Sequence, residues 1–249
     1  MRPDIGRIGL AVTSGSHAGL SEGEICSAIE QALSDHIDKL RKVLIIPPDI
    51  TRIHSGAGMI TQHLYRLLNK NCIVDILPAL GTHLPMTREE CALMYGDIPF
   101  ERFIEHNWRR DVVRLGEVPA EFVRSVSEGI YNEPIAVEIN KLLLDPSYDL
   151  ILSVGQVVPH EVAGMANYSK NIFVGCGGSS MINGTHMLGA FYGLERLMGK
   201  DHSPVRQVFD YAEENYIKEL PLVYILTVVA PYDDAHGIYG LFIGRDRKY

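Results

Sequence analysis

The sequence predicts an α/β fold, and two observations carry that expectation. Short apolar runs alternate with amphipathic stretches along the chain, as strands do when helices between them pack on a common sheet. The runs Val43-Leu44-Ile45-Ile46 and Leu150-Ile151-Leu152 are continuous rather than alternating, which reads as strands covered on both faces in a parallel sheet. The expected architecture is a Rossmann-like parallel sheet flanked by helices, followed by the start of a second α/β domain.

In chain order, Ser21-Glu22-Gly23-Glu24 forms a capping box that opens a helix with Ile25, Ala28, Ile29, Ala32 and Leu33 on one face. The Val43 strand stops at Pro47-Pro48, and a second helix runs over about 57–68 with Ile60, Leu64 and Leu67 inward. Residues 72–77 form the next strand, and Thr87-Arg88-Glu89-Glu90 is a second capping box. Residues 111–114 read as a strand, and 133–144 begin with strand-like alternation at Ile135, Val137 and Ile139. Residues 149–154 form a strand, Ile172-Phe173-Val174 a short further one, and 187–198 a helix. The polar break Gly199-Lys200-Asp201-His202-Ser203-Pro204 marks the expected boundary between domains 1–203 and 204–249. The second holds a linking helix over about 205–220 and two strands, near 223–229 and 237–243. Two strands are marginal alone, so this segment reads as the beginning of a truncated domain.

Composition narrows the function. With 46% hydrophobic and 22% charged residues the 249-residue chain resembles ordinary globular proteins. The formal charge of −8 and the lack of a Lys/Arg block argue against a nucleic-acid partner. No apolar run approaches the roughly 20 residues of a membrane span, and no signal segment is apparent. Cys26, Cys72, Cys91 and Cys176 form no C-x-x-C pair, so reduced thiols in a cytoplasm are expected. Oligomeric state, a homo-oligomer included, is open.

Ligands of open parallel sheets bind beyond the carboxyl ends of the strands, and here those ends carry reactive groups. Asp49 and Arg52 follow the Val43 run, His83 the strand at 72–77, His160 and Lys170 the strand at 149–154, and His186 the Phe173 run. Each alone has a plain reading: an exposed ion pair in a turn, a solvated imidazole, a surface lysine. Gly175-Cys176-Gly177-Gly178 reads as a phosphate-cradling loop before a helix but lacks the full G-x-G-x-x-G pattern. Cys176 reads as a buried filler. His17, His36, His54, His63, His106, His202 and His236 are background.

In combination they say more. Pro48-Asp49-Ile50-Thr51-Arg52, Gly81-Thr82-His83-Leu84-Pro85-Met86-Thr87, Val158-Pro159-His160-Glu161-Val162-Ala163-Gly164, Lys170 and His186 occur in that order. This set resembles the N-terminal part of the lactate racemase family, whose members use a nickel-pincer nucleotide. The resemblance runs from about Lys42 to about His186. It implies racemisation or epimerisation of a 2-hydroxy acid by hydride transfer to and from the cofactor. It implies that Lys170 holds the cofactor covalently, that His186 ligates nickel, and that His83 and His160 are the acid/base pair. Asp49 and Arg52 would stand near cofactor and substrate, with Arg52 able to grip a carboxylate. Ser169, Asn167, Gly175, Gly177 and Gly178 would lie near the cofactor. Cofactor maturation proteins become expected partners. In many relatives the segment before the lysine is glycine-rich, whereas here it is Met165-Ala166-Asn167-Tyr168-Ser169.

Hydride chemistry accounts for the residue types. The carbon-bound hydrogen of a 2-hydroxy acid is weakly acidic, so removing it as hydride needs a cofactor as electron sink, and the departing hydroxyl proton suits a histidine. Two alternatives stay open at this point. One is a zinc-dependent hydrolase using His83, His160 and His186, although no H-E-x-x-H pair is present. The other is a catalytically incomplete cofactor-binding fragment.

Overall fold

The computed structural model describes residues 8–232 and 235–247. Its strands are β1 (Gly9–Thr13), β2 (Lys42–Ile46), β3 (Ile73–Ile76), β4 (Val112–Val118), β5 (Ile135–Asn140), β6 (Leu150–Gln156), β7 (Pro159–His160), β8 (Gly164–Met165), β9 (Leu222–Tyr232) and β10 (Ala235–Gly244). Its helices are α1 (Glu22–Leu33), α2 (Ala57–Leu68), α3 (Arg88–Tyr95), α4 (Ala120–Val126), α5 (Ser179–Tyr192), α6 (Leu194–Leu197) and α7 (Pro204–Ala212). Both capping boxes form: Ser21 and Glu24 close the start of α1, and Thr87 and Glu90 that of α3.

The central sheet has six strands in the order β1-β10-β9-β6-β2-β3. The strands β3, β2, β6 and β9 run parallel, while β10 and β1 add antiparallel to the β9 edge. The sheet is therefore mixed, where the sequence pattern suggested a parallel one. Neighbouring residues of β2 serve opposite cores. Val43 and Ile45 pack with Ile25, Ile29, Ile60 and Leu64 from α1 and α2. Leu44 and Ile46 pack with Phe173, Leu188, Val208 and Phe209 on the other face. This two-sided burial is why the strand reads as an unbroken apolar run.

Two expectations are corrected. Ile172-Phe173-Val174 is not a strand but part of a π-helical turn, Asn171–Gly175, closed by the Cys176 N–H donating to the Asn171 carbonyl at 3.1 Å. Periodicity cannot distinguish a buried turn from a buried strand in a run this short. The described residues of 204–249, expected to open a second domain, join the central sheet and its second core. Strand β9 pairs with β6 in register from Ile151↔Leu222 to Gln156↔Thr227, and it supplies Val223 and Ile225 to one core and Tyr224 and Leu226 to the other. A hairpin with both faces apolar finds its most favourable partner in the open edge of β6. Helix α7, capped by Ser203 with Pro204 in its first turn, packs its apolar face onto the second core.

Ile225 is fully buried in the middle of the sheet, so Ile225→Ala is expected to cost about 2–5 kcal/mol in urea unfolding. Removing residues 221–249 should abolish cooperative unfolding; a fragment that kept a sharp transition would show that the hairpin is dispensable to this core.

Candidate functional site

A cleft opens where β2, β3 and β6 end, lined among others by Asp49, Arg52, His83, Gln156, His160, Asn167, Lys170, Asn171, Gly175 and His186. Backbone pairing beyond the strand ends brings its walls together. The Ala79 N–H donates to the Pro47 carbonyl at 2.8 Å, and the Gly81 N–H to the Gly175 carbonyl at 2.8 Å. The buried Tyr95 hydroxyl donates to the Pro48 carbonyl and fixes the turn that presents Asp49.

Asp49 is the hub of the first wall. It caps the short helical segment Ile50–Ser55, accepting from the Thr51 N–H at 3.1 Å and its hydroxyl at 2.5 Å. Its other oxygen meets His83 Nδ1 at 2.5 Å, and the carboxylate side chain is 6% exposed against 57% for the imidazole. A buried carboxylate thus orients an accessible ring. Because the carboxylate accepts, Nδ1 carries the proton and the Nε2 lone pair is left for a ligand. The sequence reading linked Asp49 with Arg52, but its direct partner is His83.

The other histidines are set by their own contacts. His186 Nδ1 lies 2.6 Å from the Ile182 carbonyl, one turn earlier on α5. A carbonyl only accepts, so Nδ1 is protonated and Nε2 is free to bind a metal, as in many metal-ligating histidines. His160 is the reverse: its Nδ1 accepts from the Val162 and Ala163 N–H groups at 3.1 and 3.2 Å, which puts the proton on Nε2. Burial first, then the positive charges of Lys170, Arg52 and Arg206, push its pKa down to about 4. His160 is therefore a neutral hydrogen-bond donor.

Lys170 is held down to about 8, first by burial and then by Arg52 and Arg206, with Asp49 opposing. A lysine so placed carries an appreciable share of nucleophilic neutral amine near neutral pH. The next residue fastens it to the sheet: Asn171 Nδ2 donates to the Ile46 carbonyl at 3.2 Å and to Ser153 Oγ at 3.0 Å. Asn167 lines the cleft, and its amide lies where a Cβ on Gly155 would stand, 1.7 Å away.

Three of the expected cofactor contacts lie elsewhere. Ser169 is fully buried and receives a hydrogen bond from Arg206. Gly175 lines the cleft, but Gly177 and Gly178 are not part of its lining. The helix end they lead into is occupied: Glu138 Oε2 accepts from the Ser180 N–H at 2.9 Å, where a phosphate would be expected to sit. Cys176 is buried as expected, and burial pushes its thiol well up.

Sequence reasoning missed Gln156, Asn171 and Arg206, and it left His106 in the background. Asn171 adjoins Lys170, but nothing in the pattern shows that its amide reaches two strands. Arg206 fell beyond the expected domain boundary. His106 is buried, with Nε2 donating to the Gly177 carbonyl at 3.1 Å and Nδ1 accepting from the Asn140 amide at 2.9 Å, so it braces the glycine turn.

Residues 21–196 match the family model described as the lactate racemase N-terminal domain. The chain belongs to that family. It is 28% identical over 225 residues to a lactate racemase of Thermoanaerobacterium thermosaccharolyticum, an alignment covering 87% of this chain and 47% of the relative. The lactate racemase apoprotein structure from that organism has a TM-score of 0.66 at 22% identity, over 96% of this chain and 55% of the other. A Thermotoga maritima protein of known crystal structure has a TM-score of 0.80 at 24% identity, over 93% and 55%. Both confirm the α/β fold. The chain spans about half the length of the relatives it matches. No helix among the described residues is long and apolar enough to cross a membrane.

The tautomers are directly measurable. Nitrogen-15 spectra should show His83 and His186 protonated at Nδ1 and His160 at Nε2, with His160 neutral down to about pH 4. The unfolded chain takes up that proton at about 6.5. The folded state therefore keeps the full contribution above that pH and loses it progressively as pH falls toward 4. A His160 that titrates near its ordinary value would contradict the backbone contacts assigned to Nδ1.

Proposed function

We propose that this domain binds a nickel-pincer nucleotide through Lys170 and that the protein containing it interconverts the stereoisomers of a 2-hydroxy acid. The supporting observation is the convergence in one cleft of a lysine of lowered pKa with His186, whose Nε2 lone pair is free, and with the Asp49–His83 pair. Family membership supports the same reading.

The residues fit such a group. Its covalent link needs a nucleophilic amine, which Lys170 provides. His186 would offer its nickel an imidazole nitrogen through Nε2, a donor type that nickel accepts. Once bound, the group supplies a pyridinium carbon able to accept and return hydride. The chain does the rest. Arg52, exposed at the cleft mouth, pairs its planar fork with the substrate carboxylate. His83 Nε2 takes the hydroxyl proton, and Asp49 stabilises the resulting imidazolium. His160 Nε2–H donates a hydrogen bond to a substrate oxygen; it serves as a base toward the opposite enantiomer only after its ring releases Val162 and Ala163. A zinc hydrolase would need three protein ligands at one point, and among the described residues no three His, Cys, Asp or Glu side chains are grouped to hold a metal ion.

Co-expression of this chain with the cofactor maturation proteins, followed by intact-mass and metal analysis, tests the reading. A nucleotide-sized adduct on Lys170 with nickel present is the expected result, and Lys170→Ala should abolish the adduct while the fold persists. His186→Ala should lower nickel retention more than His83→Ala or His160→Ala. Zinc without an adduct, lost equally in all three histidine variants, would overturn it. Racemisation of a panel of 2-hydroxy acids is to be assayed on the full-length protein.

A further inference from the structure

We propose that Arg206 is the positioning residue of Lys170, its guanidinium clamping residues 165–169 into the left-handed turn that aims the lysine into the cleft. The proposal rests on the reading of Lys170 as the residue that carries the cofactor.

The backbone before Lys170 is unusual. Asn167 and Tyr168 take φ values of 61° and 54°, consecutive left-handed residues of which neither is glycine. Asparagine visits this region with some ease, but a bulky tyrosine remains there only when its surroundings over-determine it. Those surroundings are identifiable. Arg206 is 2% exposed; its Nη1 donates to Ser169 Oγ at 3.0 Å, and its Nη2 to the Met165 and Asn167 carbonyls at 2.6 and 3.3 Å. One side chain thus holds the turn at three points, on both sides of the left-handed pair. The Arg206 N–H is itself fixed by Ser203 Oγ at 3.1 Å, and Ser203 donates to the Ala163 carbonyl at 2.9 Å. Tyr168 is tied down from behind, its hydroxyl on the Arg245 carbonyl at 2.6 Å and its ring 4.2 Å from that of Tyr224.

The clamp is also a charge. Asp210, one turn along α7, is paired with Arg247, and among the described residues Arg206 meets no carboxylate at ion-pair distance. The groups acting on Arg206 are Asp210, Arg247, Tyr224 and Tyr168; those acting on Lys170 are Arg52, Arg206 and Asp49, with His160 nearby. Of the two cations near Lys170, exposed Arg52 acts the more strongly and buried Arg206 adds to it. Arg206 therefore favours the neutral amine. A surface residue that merely held the loop would not.

The test uses the chain without cofactor. Acetic anhydride labelling of Lys170 across pH, read by peptide mass spectrometry against exposed Lys70 and Lys200, gives the amine's midpoint. Arg206→Met should raise the Lys170 midpoint and leave the reference lysines unchanged; an unchanged Lys170 midpoint in folded protein overturns the charge role. Arg206→Lys retains donors but cannot make the three contacts. Amides at 165–170 should then lose hydrogen-exchange protection by roughly tenfold or more while those of β2 and β6 keep it. Unchanged protection overturns the clamp, and this arm decides even if Arg206→Met fails to fold. If both arms come out as expected but loaded protein carries no adduct on Lys170, the cofactor reading fails and the positioning role of Arg206 stands.

Discussion

Burial of the central strands on both faces is the constraint on which the rest of the molecule depends. With Leu44 and Ile46 in one core and Val43 and Ile45 in the other, the middle of the sheet has no place for an unpaired polar group. The cleft's reactive side chains gather beyond the strand ends, in the turns there and on helix α5. There each polar group must still find a partner, and its partners decide its chemistry. Asp49 has Thr51 and His83, His186 has a carbonyl, and His160 has two N–H groups. Three histidines in one cleft thereby acquire different properties without any difference in residue type.

The lysine shows how far such support extends. Asn171 ties it to β2 and β6, the turn before it depends on α7, and α7 packs on the same core as the hairpin strand β9. Elements late in the chain thus hold a residue in its middle. Residues 204–232 and 235–247 are as much a part of the cleft's foundation as the early strands are.

What the sequence disclosed, and what it hid, follows from the same physics. Continuous apolar runs made β2 and β6 legible, and cap chemistry made α1 and α3 legible, because these signals are local. Asp49, Arg52, His83 and His160 stand just beyond strand ends, as expected, whereas His186 lies inside α5 and the run expected to precede it is a π turn. The π turn at Ile172 stayed hidden because burial alone sets its composition. Arg206 stayed hidden because a buried arginine looks like any surface arginine in an amphipathic helix; only three-dimensional contact with Met165, Asn167 and Ser169 reveals it. The Asp49–His83 pairing spans 34 residues and could not be read from spacing.

The glycine turn before α5 ends with the chain's own carboxylate on the helix. A helix start normally attracts whatever anion the medium offers. Here Glu138 acts as a built-in counter-ion at the Ser180 N–H, so a free phosphate or sulfate would meet a negative charge already in place. The positive side chains that line the cleft are instead Arg52 and Lys170, whose placement is sensitive to loop geometry in a way that a helix end is not.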